Sequence, residues 1–209
     1  MKVSLKRVVP MVLAAATLVA SLSACVPLVV GGGFASGVLV AMDRRTSGAQ
    51  LEDQGIELRG ANRIKEALGD NARVSVTSYN RQVLLTGEVA RTEDIQRAEQ
   101  IIAKVENVNS VVNDLAVGIP AALTQRSTDL LITSKVKASL IDAKDLQANA
   151  FKVVTERNVV YLMGRVTPRE ANRATEIARG VKDVAKVVRV FESLTEEELA
   201  RLGQQPPAK

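Results

Sequence analysis

The sequence predicts an α+β fold made of two tandem αββαβ modules, each a two-layer sandwich with helices on one face of a three-stranded sheet. Three observations predict it. The strand-like segment Val83 to Val89 (VLLTGEV) returns as Val160 to Val166 (VYLMGRV), 77 residues later. The helix-like run from Arg97 returns from Arg173 at a spacing of 76, and each copy then ends in a valine-rich stretch. Upstream, RIKEAL from Arg63 matches KVKASL from Lys135 at a spacing of 72. Self-similarity of this kind marks a repeated structural unit.

Each module opens on an amphipathic helix, with Ile64, Ala67 and Leu68 in the first copy and Leu131, Val136 and Leu140 in the second at helical spacing. A short strand follows, Val74 to Ser78 or Phe151 to Thr155, and then a turn at Asn80-Arg81 or Arg157-Asn158. In the next strand Val83, Leu85, Gly87 and Val89 share one face, as do Val160, Leu162, Gly164 and Val166, because side chains alternate with period two. Glycine inside a strand marks a close backbone approach, so Gly87 and Gly164 are expected to be structural glycines that admit a tightly packed helix. The second helix of copy two opens with Thr167 as N-cap, Pro168 at the first position and Glu170 completing a capping box. Copy one is expected to use Thr92, with Glu93 and Asp94 in the first turn. Ile95, Ala98, Ile101, Ile102 and Val105, and likewise Ala171, Ala174, Ile177, Ala178 and Val181, supply the face turned to the sheet. A last strand, Val108 to Leu115 or Val184 to Phe191, closes each module.

Ahead of the modules, Lys2, Lys6 and Arg7 precede an apolar run from Val8 to Ala20 and then small residues, the order of a secretory signal. Leu22, Ser23, Ala24 and Cys25 resemble the lipobox of bacterial lipoproteins at all four positions. That resemblance implies cleavage before Cys25, the sole cysteine, and covalent N-acyl and S-diacylglycerol lipid upon it. Val26 follows where lipoproteins retained at the inner membrane commonly carry Asp, so it also implies an outer-membrane anchor facing the periplasm. The predicted organisation is a signal peptide at 1–24, a lipidated tether at 25–52, the first module at 53–117, a linker at 118–126, the second module at 127–192 and a disordered tail at 193–209. The signal carries three of the 28 basic residues and none of the 23 acidic ones, leaving a net charge of +2.

A glycine within a V-x-L-x-G-x-V strand, followed by a helix and a valine-rich strand, resembles the BON domain of bacterial envelope proteins. Lipobox, the segment DRRTSGAQ from Asp43, VSVTSYNRQVLLTG from Val74 and ITSKVKASL from Ile132 together resemble dual-BON outer-membrane lipoproteins, the division- and outer-membrane-stress-associated lipid-binding family. The resemblance implies a second module that binds anionic phospholipid through its opening helix and a nearby strand end, in support of outer-membrane integrity.

The residue inventory points away from catalysis. The chain has no histidine and its one cysteine is committed to acylation, so Ser-His, Cys-His and most zinc arrangements cannot be assembled. Gly31 to Gly33 lack the Lys-Ser/Thr of a phosphate loop and read as part of the tether. No cofactor, metal or small-molecule substrate is expected, and a secreted chain does not meet nucleic acid.

Charge locates the expected binding surface. From Arg59 to Val117 eight basic residues balance eight acidic ones, whereas Ser127 to Glu192 holds twelve and eight, a net +4. On the face away from the helices, Gln82, Leu84, Thr86 and Glu88 become Val159, Tyr161, Met163 and Arg165. The candidate phospholipid contacts are therefore Leu130, Leu131, Lys135, Lys137, Ile141 and Arg165, apolar groups beside cations as on an interfacial helix. The same surface also suits an adaptor for an acidic envelope protein of the assembly or division machinery.

Overall fold

A computed structural model describes residues 43–202. Cys25 with its lipobox and Gly31 to Gly33 lie outside the described residues. Helix α1 (Ser47–Leu68) leads to β1 (Arg73–Tyr79), β2 (Gln82–Val89), α2 (Thr92–Ala103) and β3 (Ser110–Val117). The second module repeats the order as α3 (Leu123–Asp142), β4 (Phe151–Glu156), β5 (Val159–Val166), α4 (Pro168–Gly180) and β6 (Lys186–Ser193), and a short α5 (Glu196–Leu202) follows. In each sheet the middle strand runs antiparallel to the first and parallel to the last, so Gly87 lies opposite Val74 and Leu115, and Gly164 opposite Phe151 and Phe191. Helix α1 reaches back into the stretch assigned as tether, α3 into the linker, and α5 into the expected disordered tail.

Each core lies between its sheet and its two helices. Val83, Leu85 and Val89 meet Ile56 and Ile64 of α1 and Ala98 and Ile102 of α2. Val160, Leu162 and Val166 meet Ile132, Val136 and Leu140 of α3 and Ala174 and Ala178 of α4. The expected period-two face is thus the core face, and each aliphatic side chain buried there contributes about 1.5–3 kcal/mol. The capping box is present, with Thr167 Oγ1 accepting from Glu170 N and Glu170 accepting from Thr167 N.

Several expectations are corrected. The opening helices superpose at a spacing of 76, not 72, because the buried residues Asp53, Ile56, Gly60 and Ile64 recur as Asp129, Ile132, Val136 and Leu140. In consequence Leu131 is not a core residue; it is 62% exposed, and Ile132 takes the core position. Gly87 and Gly164 do not admit a helix. A Cβ at Gly87, whose φ is +118°, would lie 1.9 Å from the Arg73 carbonyl oxygen, and one at Gly164 2.4 Å from that of Ala150, so both glycines make room for the backbone leading into the neighbouring strand. The glycine that lets helices close is Gly60, where a Cβ would lie 2.8 Å from Ile102 Cδ1. Finally, Thr92 is already helical; Arg91 is the N-cap and its guanidinium holds Asp94 at 3.1 Å.

The sheet faces away from the helices meet each other. Tyr79 and Leu84 pack with Tyr161, Met163 and Val190 as a third apolar cluster, in the manner of stacked sheets. The Tyr161 hydroxyl donates to the Asp114 carboxylate, and Arg73 spans Glu88, at 3.0 Å, and Glu156 of the second module. Lys152 Nζ reaches Glu57 at 2.7 Å from the other side of the junction. Tyr161 and Met163, expected on an open face, are therefore buried.

Candidate membrane-binding surface

Helix α3 is apolar on two opposite sides. One carries Ile132, Val136 and Leu140 into the core; the other leaves Leu123, Leu130 and Ile141 at 74%, 69% and 69% exposed. Their spacings of seven and eleven are whole helical turns, since 3.6 residues make one turn, so the three form a single stripe, with Leu131 beside it. Leu130 and Ile141 are candidates that the sequence offers; Leu123 is an addition, because it falls in the stretch assigned as linker. Ile119, 91% exposed just before the helix, extends the same apolar set along the chain and is likewise an addition.

Cations flank the stripe. Lys137 is exposed on α3, as is Arg126 one turn before Leu130. Lys135 lies toward the far side and pairs with Asp183 at 3.3 Å, both half-exposed, a surface contact of at most about 1 kcal/mol. The structure thus brings Leu130, Leu131, Lys135, Lys137 and Ile141 onto one helix.

Arg165 is placed elsewhere. It lies on the face of β5 opposite the α3 side, where its Nε donates to Glu192 at 2.9 Å and its Nη1 to the Arg44 carbonyl at 3.3 Å. Arg44 covers that edge. Its guanidinium is bidentate to Glu170, at 2.7 and 2.8 Å, and also donates to the Arg165 carbonyl at 2.8 Å. Burial raises the Glu170 carboxyl pKa, but the Arg44 and Thr167 hydrogen bonds outweigh it and hold the group below its ordinary range. Arg45 turns the other way, onto Asp43 and Asp53 at 2.8 Å each and over the Tyr79 ring at 4.2 Å. Burial pushes the Tyr79 hydroxyl up to about 12. The segment DRR, legible in the sequence only as a match, is thus a strap across both modules.

A second device escaped sequence reading. Asp53 accepts from Asn80 N and Arg81 N, at 2.8 Å each, and from Ser78 Oγ at 2.6 Å. Asp129 does the same for Arg157 N and Asn158 N at 3.0 and 2.9 Å. These four turn residues have φ between 49° and 66°, so an aspartate on each opening helix stabilises a left-handed turn that lacks glycine. Only the correct 76-residue register aligns the two aspartates.

Among the described residues no group of three or more His, Cys, Asp or Glu is arranged to hold a metal ion, and no helix is long and apolar enough to cross a membrane. The geometry defines a two-module protein whose helix α3 leaves Leu123, Leu130, Leu131 and Ile141 exposed beside cations, while of the large apolar residues of α1 only Leu51 and Leu58 are exposed. The BON domain model matches residues 61–119 and 128–193. The chain is similar to the outer membrane lipoprotein DolP of Haemophilus influenzae, with 36% identity over 175 residues, 83% of this chain and 90% of that protein. It is also similar to a 21 kDa hemolysin of Actinobacillus pleuropneumoniae, with 35% identity over 152 residues, 72% of this chain and 78% of that one. The chain belongs to the BON family, and within it to the outer-membrane lipoproteins that carry two such domains.

Proposed function

We propose that this lipoprotein binds anionic phospholipid through the outward face of α3 and so supports outer-membrane integrity, without catalysing a reaction. The observation that carries the reading is the second apolar side of α3: Leu123, Leu130, Leu131 and Ile141 have no place in either core. Each such side chain gains up to about 1.5–3 kcal/mol on leaving water, and each basic residue near an anionic surface adds about 1 kcal/mol. The acyl chains on Cys25 are the primary anchor in this reading, because two or more chains hold stably where one does not; α3 then reads the headgroups.

The test is flotation with vesicles, using the full chain carrying Cys25→Ala so that acylation does not dominate. Isolated modules are a poor reagent, since separating them exposes Tyr161, Met163 and Leu84. Phosphatidylglycerol vesicles should carry the protein upward, phosphatidylcholine vesicles should not, and 1 M salt should weaken the association as the Debye length shrinks from about 10 Å at 0.1 M to about 3 Å. Indifference to headgroup charge would remove the phospholipid reading and favour an adaptor for an envelope protein.

A further inference from the structure

We propose that the outer edge of β6 takes up an extended acidic segment of a partner polypeptide as a fourth strand of the second sheet. The inference stands apart from the lipid reading of α3, because it concerns backbone groups of another element. In each sheet the middle strand is paired on both sides, so the last strand of each module keeps one edge of its own. The parallel ladders decide which amides face outward. Leu194 N donates to Val166 O, and Gly118 N to Val89 O, each at 3.0 Å, and the register is constant along both pairs. Successive residues of a strand direct their amide groups to opposite sides, so even-numbered residues of β3 and β6 bond the middle strand and odd-numbered ones face away.

The two edges then differ. In β3 the outward amide of Leu115 donates to Asn113 Oδ1 at 3.2 Å, and Asn113 is itself held by its Nδ2 donating to Ile95 O at 2.9 Å. That edge is stoppered. In β6 the equivalent pair, 76 residues on, is Arg189 and Phe191, and a guanidinium has no acceptor to offer. Arg189 turns instead to Asn172 Oδ1 at 3.0 Å. Among the described residues nothing accepts from the outward amides of Val187, Arg189, Phe191 and Ser193. A strand edge left in this state is a template for an added strand. Charge selects what is added. Lys186 and Arg189 are exposed, Lys186 makes no ion pair among the described residues, and Arg189 spends one of its five side-chain hydrogens on a neutral amide. The acid of the strand, Glu192, is already taken by Arg165 at 2.9 Å and Asn80 at 2.6 Å. Side chains directly across a pair of strands share a face, so a partner with carboxylates three residues apart sets one against each cation. A second copy fits worse, because its own edge brings the same two unpaired cations.

Amide NMR and hydrogen exchange of the full chain carrying Cys25→Ala, with the acetylated and amidated peptide VTEVTEVT as probe, would test this. The amides of Val187, Arg189, Phe191 and Ser193 should exchange severalfold more slowly with peptide than without, while those of Val188 and Val190, already bonded to β5, should not change. The same peptide with Lys in place of Glu should bind about fivefold more weakly. Lys186→Glu combined with Arg189→Glu should invert that order. Arg189→Asn copies the stopper of the first module, so it should weaken the acidic peptide further than Arg189→Ala, which loses the same charge and leaves Phe191 uncapped. All three variants alter exposed side chains, and melting close to that of the parent would show the fold intact. Protection absent from the four amides, an unchanged order of peptides in the charge-reversed variant, or equal weakening by Arg189→Asn and Arg189→Ala would overturn the proposal. A dimer protected at those amides without peptide would overturn it too, and would give the edge to a second copy.

Discussion

At the scale of single residues, Gly87 and Gly164 hold equivalent places but under unequal constraint. Gly87 combines a φ of +118° with a Cβ position 1.9 Å from a carbonyl oxygen; Gly164 meets its carbonyl at 2.4 Å without an unusual φ. Backbone cannot swing aside as a flexible side chain can. Alanine at either site should therefore cost about 1–3 kcal/mol by overpacking, with a further 1–3 kcal/mol at Gly87 for the disfavoured backbone. Thermal melting of the two variants should rank Gly87→Ala below Gly164→Ala, and equal melting would mean that strand β1 yields freely. The glycines themselves were legible from the repeated strand, but their reason was not, because sequence does not say whether a helix or a neighbouring strand closes in. Asp53 was less legible still. In the sequence it is one acid in a polar stretch, and only the fold shows it accepting the amides of a turn 27 residues away.

At the scale of the element, α3 separates core from surface within three consecutive residues. Leu130, Leu131 and Ile132 are equally apolar in sequence, and a helix with two apolar sides has no single face for periodicity to find. Its register is set by contacts remote in sequence: Asp129 on the turn at Arg157, and Val136 against the sheet. The candidate residues on α3 were found because leucine and lysine adjoin there; Arg165 was grouped with them because the burial of its sheet face depends on the other module. The prediction follows from exposure. Ile132→Ala should cost about 2–5 kcal/mol of stability, whereas Leu131→Glu should leave melting within about 0.5 kcal/mol and reduce flotation with phosphatidylglycerol vesicles severalfold. Loss of stability in Leu131→Glu would place that side chain in a core, and unchanged flotation would remove it from the membrane contact.

At the scale of the whole molecule, two modules of equal topology are joined by the sheet faces that their helices leave free. Two repeats and their order were plain in the sequence, but the joining was not, because an apolar strand face reads alike whether membrane or a second sheet covers it. What the junction adds is the strap. Arg44 carries a buried charge into the second module, and its bond to Glu170 ties that module to the chain segment from which α1 departs. Removing one partner of a buried pair leaves the other uncompensated, a loss of about 3–5 kcal/mol. Glu170 retains the Thr167 amide, so Arg44→Ala should fall near the lower end. The pH dependence gives an independent check. A carboxyl held below its unfolded value, about 4.3 for Glu, contributes stability that is present above that pH and is lost as pH falls through the folded-state value. Arg44→Ala removes the principal group holding Glu170 down. The stability difference between the parent chain and Arg44→Ala should therefore be greatest at pH 7 and shrink on acidification below about pH 4. Urea unfolding at pH 7 and pH 3 measures both, and because every other carboxyl is common to the two proteins, a difference that stayed constant between those pH values would deny the pair its role in fastening the strap.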